Sequence, residues 1–180
     1  MSGSKAVNRA YAKLQRHIKN QISIIYPSAC LALWNEFGWR EHRIWKVLNR
    51  SQKIIDELSE ETDKSVIEVL DDETGIEITL PGTKSYKEYM YLNSELYRRR
   101  KPMSNPQLIH MCGRMETWVA PQIIACLCLS LHREYGFGAD RLSRFVTAID
   151  TVRAEHGENK KWYAAELENV TGMKAEMMQF

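Results

Sequence analysis

Apolar residues fall at intervals of three and four along most of this chain, the period of a helix with one buried face. The first such stretch is AVNRAYAKLQRHIKNQISII, residues 6–25. Pro27 interrupts it and predicts a new helix over SACLALWNEF, because proline suits a first helical turn. Gly38 predicts a left-handed stop after Glu36 and Phe37. EHRIWKVLNRSQKIIDEL, 41–58, places Ile44, Val47, Leu48, Ile54, Ile55 and Leu58 at helical spacing, and KSVIEVLDDETG, 64–75, reads as a short helix closed by Gly75. IEITL, 76–80, alternates like a strand but has no obvious partner. SYKEYMYLNSELYRRRK, 85–101, is helical again until Pro102 and Pro106. NPQLIHMCGRMETWV leads to Pro121, from which PQIIACLCLSLHREYG predicts a buried helix ending at Gly136. ADRLSRFVTAIDTVRAEHG and KKWYAAELENVTGM supply two more, so the expectation is an all-α protein of about seven to nine helices.

The pattern also repeats. Shifted by 98, Cys30, Leu31, Leu33, Glu36, Phe37, Gly38, Trp39, Arg43, Ile44 and Val47 fall on Cys128, Leu129, Leu131, Glu134, Tyr135, Gly136, Phe137, Arg141, Leu142 and Phe145. Shifted by 97, Leu70, Thr74, Gly75 and Ile76 fall on Leu167, Thr171, Gly172 and Met173. Shared helical periodicity would align apolar positions but not both glycines. The expectation is two pseudo-repeats of a helical hairpin unit joined by a central helical insertion. The segments are 1–80, a basic and aromatic connector at 81–105, and 106–180, all within one globular unit.

In each copy a buried helix is expected to end at glycine, with aromatics clamping the turn. Glu36, Gly38, Trp39 and Arg43, with Glu134, Gly136, Phe137 and Arg141, form that predicted structural clamp. The arginine would either pair with its own copy's glutamate across the hairpin or bond carbonyls freed at the helix end.

At these residues a resemblance enters. E-[FY]-G-[FW], a following arginine before an aliphatic helix, and a later [DN]-x-T-G-[IM] resemble a group of small, mostly uncharacterised proteins encoded by phages and mobile elements of Gram-positive bacteria. The match covers roughly 30–78 and 128–176, with the motif present twice. The resemblance implies phage origin and a compact helical fold, and it transfers no catalytic residue.

Composition narrows the classes little. Apolar residues make up 44% and charged residues 27%, and a net charge of +2 is too small to argue for nucleic acid without local clustering. The N-terminus, MSGSKAVNRAYAKLQRHIK, carries no apolar run of the kind a secretory signal needs, and IIACLCLSL is too short to cross a bilayer. Cys30, Cys112, Cys126 and Cys128 sit among apolar residues without disulfide spacing, which suggests a reduced host cytoplasm. Cys126 and Cys128 would point apart on a helix, so no metal site and no cofactor are expected.

Candidate chemistry gathers in the unrepeated centre. Tyr89, Tyr97, Arg98, Arg99, Arg100, Lys101, His110, Arg114 and Trp118 combine forked phosphate donors with stacking faces. The bland reading of the cations is a solvated helix end that satisfies its dipole. The residues 56–77 carry ten acidic side chains against Lys64 alone, and Glu57, Glu60, Glu68 and Asp71 fit the wording of a magnesium pyrophosphohydrolase, although the two pairs lie close in sequence. A solvated acidic face is the plainer reading. No nucleophile turn or phosphate loop is present. The leading expectation is a non-enzymatic phage-type binding protein that sequesters a host factor, a small anionic nucleotide-derived immune signal or a host protein. The alternatives are a nucleic-acid accessory protein and the magnesium-dependent hydrolase. No membrane partner is expected, and a dimer is conceivable.

Overall fold

Pro27 lies inside a helix, not at the start of one. The computed structural model describes residues 2–62, 64–78 and 104–175, and its first helix, α1, runs unbroken over Ser2–Phe37. Five more follow among the described residues: α2 (Glu41–Glu61), α3 (Val66–Thr74), α4 (Asn105–Tyr135), α5 (Ala139–His156) and α6 (Lys160–Thr171). The protein is all-α. No strand forms among the described residues; 76–78 is irregular chain with Ile78 buried, and Thr79 and Leu80 lie outside them. The predicted helix over 85–101 lies outside them too.

The sequence pattern places a helix boundary at each of Pro27 and Pro121, whereas both lie inside continuous helices. Pro27 is flanked by Ile24, Ile25, Tyr26, Ala29 and Cys30, all buried, and Pro121 is itself buried within α4. An interior proline costs a helix about 3 kcal/mol. Burying several large side chains on either side, at about 1.5–3 kcal/mol each, outweighs that cost.

The ends of the elements obey local rules. Ser65 caps α3: its Oγ accepts from the Glu68 N–H at 3.3 Å, and the Glu68 carboxylate accepts from the Ser65 N–H at 2.7 Å. Ser104 donates its N–H to the Gln107 side chain at 2.9 Å at the start of α4. Thr74 and Thr171 each turn a hydroxyl back to the carbonyl four residues earlier, at 2.7 and 2.6 Å. Each also accepts the N–H two residues on, from Ile76 at 3.3 Å and Met173 at 3.1 Å, across Gly75 and Gly172.

α1 and α4 lie side by side and run in the same direction. Lys13 meets Glu116 at 2.7 Å near one end, and Phe37 meets Phe137 at the other. α2 and α3 pack chiefly on α4, whereas α5 and α6 pack chiefly on α1. Each half of the chain therefore supplies the covering helices for the long helix of the other half. One continuous core results, from Ile25 and Leu33 through Ile44, Leu48, Ile67 and Leu70 to Leu127, Leu129, Phe145 and Leu167. A smaller cluster of Leu14, Cys112 and Val119 closes the far end of the α1–α4 pair. No helix among the described residues is long and apolar enough to cross a membrane.

Candidate functional site

The two glycine turns meet at the head of the α1–α4 pair. At each, a long buried helix ends with glycine at positive φ, 65° at Gly38 and 61° at Gly136. The hydrogen bonds match: Gly38 and Gly136 donate to the carbonyls of Trp34 and His132, and Trp39 and Phe137 to those of Leu33 and Leu131. This geometry turns Trp39 and Phe137 inward, where they are 7% and 3% exposed.

The aromatics cross between the halves. Trp39 lies on Tyr135 at 4.7 Å between ring centroids, Phe37 lies on Phe137 at 5.1 Å, and Trp39 meets Phe137 edge-on at 5.5 Å. Arg43 stacks over Trp39 at 4.9 Å, and Arg141 over Phe137 at 4.7 Å. Arg141 also donates to the Gly136 carbonyl, the helix-end role expected as one of its two options.

The clamp glutamates turn to other partners. Glu36 accepts from Arg144 at 3.1 Å and Glu134 from Arg50 at 2.9 Å, so each reaches the second helix of the opposite half instead of Arg43 or Arg141. The helices that sequence places together as one hairpin are not the ones packed together. Arg50 also grips both oxygens of Glu57, and this bond, foremost, holds the Glu57 carboxyl below its ordinary value and the Arg50 guanidinium above its own. Beside it Arg133 forks onto Glu73 at 2.6 and 3.2 Å, which raises the Arg133 pKa. His132 joins through Nδ1 to the Phe137 carbonyl at 2.9 Å.

Arg50, Glu73, Arg133 and Arg144 were missed in the sequence. Arg144 stands one turn beyond Arg141 and could have been found as a cation on that face; nothing local marks Arg50 as the partner of a residue 84 positions away.

The nine residues expected to bind ligand divide as follows. Tyr89, Tyr97, Arg98, Arg99, Arg100 and Lys101 lie outside the described residues, as does the Arg114 side chain, although its backbone belongs to α4. His110 is exposed on α4, and Trp118, two turns later, is 3% exposed within the core. Those two do not share a surface. A groove of about 420 Å³ opens between the end of α3 and helices α4 and α5, lined by Ile76, Ile78, Pro121, Val146, Asp150 and Arg153. It lies where the described chain runs out at Ile78, ahead of the basic connector.

Of the four carboxylates considered for magnesium, Glu57 is held by Arg50 and Glu68 by its cap, while the Glu60 side chain lies outside the described residues. No group of three or more metal-ligating side chains forms among the described residues. Cys30, Cys126 and Cys128 are buried, and burial drives their thiols upward, Cys126 to about 12. They behave as small core hydrophobes. Comparison with family models, curated proteins and solved structures finds no match to this chain.

Proposed function

We propose that this chain is a non-enzymatic, phage-type binding protein made of two copies of one helical unit. It acts in the host cytoplasm as a counter-defence inhibitor by capturing a small anionic molecule derived from nucleotides. The two-copy reading draws support from reciprocity. Trp39 on Tyr135 and Phe37 on Phe137 exchange under the 98-residue shift, as do the glycine turns and, under the 97-residue shift, the threonine bonds. A unit that covers its twin's long helix has the packing of an intertwined dimer fused into one chain.

The observation that carries the ligand reading is the groove at the junction of the halves, lined by residues 75–78 and with Arg153 in its wall, the basic connector following in sequence. From residue 81 to 118 the chain carries seven lysines and arginines against three acids. Arginine forks and tyrosine faces suit phosphates and bases respectively. The hydrolase alternative loses ground because Glu57 and Glu68 are already engaged by protein groups.

The test is titration calorimetry against mononucleotides, dinucleotides and cyclic nucleotides, with native mass spectrometry of protein purified from infected cells to catch a co-purifying ligand. Replacing Arg98, Arg99, Arg100 and Arg114 with alanine abolishes binding and leaves melting nearly unchanged. Affinity that survives this change overturns the reading.

A further inference from the structure

Helix α2 carries its charges against its own dipole. Negative groups favour the start of a helix and positive groups its end. In α2, past Glu41, the stretch 42–55 holds His42, Arg43, Lys46, Arg50 and Lys53 with no acid, and the end holds Asp56, Glu57, Glu60 and Glu61 with no lysine or arginine. Arg50 is accounted for by Glu57 and Glu134, and Lys53 adds to the field on Glu57. Helix stability does not explain the placing of the other cations, and a local rule broken without local gain points to a partner.

The basic stretch has one outward face. Ile44, Val47, Leu48, Ser51 and Ile54 are buried, whereas His42, Arg43, Lys46, Asn49 and Lys53 are exposed. At 3.6 residues per turn, His42, Lys46, Asn49 and Lys53 fall within roughly 60° of arc and roughly 16 Å of helix. Arg43 flanks them, its guanidinium lying over Trp39 at 4.9 Å and Tyr135 at 5.8 Å. Among the described residues, no carboxylate lies within ion-pair distance of His42, Arg43, Lys46 or Lys53. The face is also particular to the first half. The positions matched to His42, Lys46, Asn49 and Lys53 hold Asp140, Arg144, Thr147 and Thr151, and Arg144 is engaged by Glu36.

We propose that this face of α2 docks on the phosphate backbone of double-stranded DNA, independently of base sequence. A phosphate backbone fits better than a protein surface. The strip of His42, Lys46, Asn49 and Lys53 itself holds no apolar side chain, with half-buried Trp45 at its border. Exposed ion pairs between proteins contribute little, and lysine is depleted from protein interfaces. Lysine, arginine and asparagine are the donors that phosphate contacts use. The acidic end of α2 limits the footprint to the stretch before Asp56. These residues are separate from the connector, so this proposal stands or falls apart from the ligand reading.

The test is anisotropy of a fluorescein-labelled, random-sequence DNA duplex titrated with the full chain. Three phosphate contacts, from Arg43, Lys46 and Lys53, give an affinity that falls roughly 40-fold between about 50 and about 200 mM salt. Lys46→Glu with Lys53→Glu weakens binding and lowers the logarithmic salt slope by about 1.8, since two contacts go. Circular dichroism verifies that this variant is folded. No binding by the parent chain overturns the proposal, as does a variant with unchanged affinity and slope. So does binding lost instead on replacing Arg98, Arg99 and Arg100. A parent chain that leaves DNA unbound but dimerises at low salt, with the double variant monomeric by light scattering, also overturns it and makes a second copy the occupant.

Discussion

Trp39 packs against Tyr135 with ring centroids 4.7 Å apart and planes inclined by 58°, joining the loop after α1 to the end of α4. The same indole meets Phe137 and carries Arg43, so it stands where both halves and one cation converge. Trp39→Ala removes a ring that is 7% exposed and should cost about 3–5 kcal/mol. For a chain of this size that lowers Tm by roughly 10 °C, measurable by calorimetry. A loss near that of a surface substitution would remove the junction from the core.

Two glycines should respond with opposite sign. A Cβ at Gly136 meets nothing within 4 Å, so its cost is the left-handed backbone alone, φ 61°. Gly136→Ala should destabilise by about 1–2 kcal/mol. Gly113 lies within α4 with equally open space and no positive φ. Gly113→Ala should stabilise by up to about 1 kcal/mol, because alanine loses less freedom in a helix. Urea midpoints of the two variants check the pair.

The Arg50–Glu57 contact sets an acid limb. The Glu57 carboxyl is held below its ordinary 4.5, chiefly by the Arg50 bond, so the folded state binds its proton less readily than the unfolded chain does. Its contribution is present above pH 4.5 and is lost as pH falls through the depressed folded value. Stability measured by urea from neutral pH to pH 3 should therefore fall less steeply in Glu57→Gln. Added salt should shrink the difference, since the carboxylate faces solvent.

Thiol labelling should rank the two clusters. Cys30, Cys126 and Cys128 lie in the main core, with raised thiol pKa values. Cys112 is 1% exposed but belongs to the small cluster with Leu14 and Val119. Fewer buried contacts mean cheaper local opening. Cys112 should react first with an aromatic disulfide reagent in the native protein, and the other three only at the rate of global unfolding.

The glycine stops were legible because Gly38, Gly75, Gly136 and Gly172 follow apolar periodic runs, and a left-handed cap is a local requirement. The boundaries at Pro27 and Pro121 were not. A missing N–H speaks for a break, and only the side chains packed around each proline speak for continuity. The glutamates failed for a related reason. Spacing suggests that Glu36 meets Arg43, yet spacing says nothing of which helix crosses to the other half.

The sequence by itself determined the helical class, the glycine stops, the inward faces and the recurrence of positions across 98 residues, because each follows from period, turn chemistry and side-chain type. Only the tertiary structure decided that α2 covers α4, that α5 covers α1, and that Glu36 and Glu134 find Arg144 and Arg50. Two long helices, each with a buried apolar face, could be covered by either set of shorter helices. The observed choice goes with contacts between distant residues, the aromatic turns at Gly38 and Gly136 and the crossed glutamate pairs among them, and no local pattern encodes such contacts.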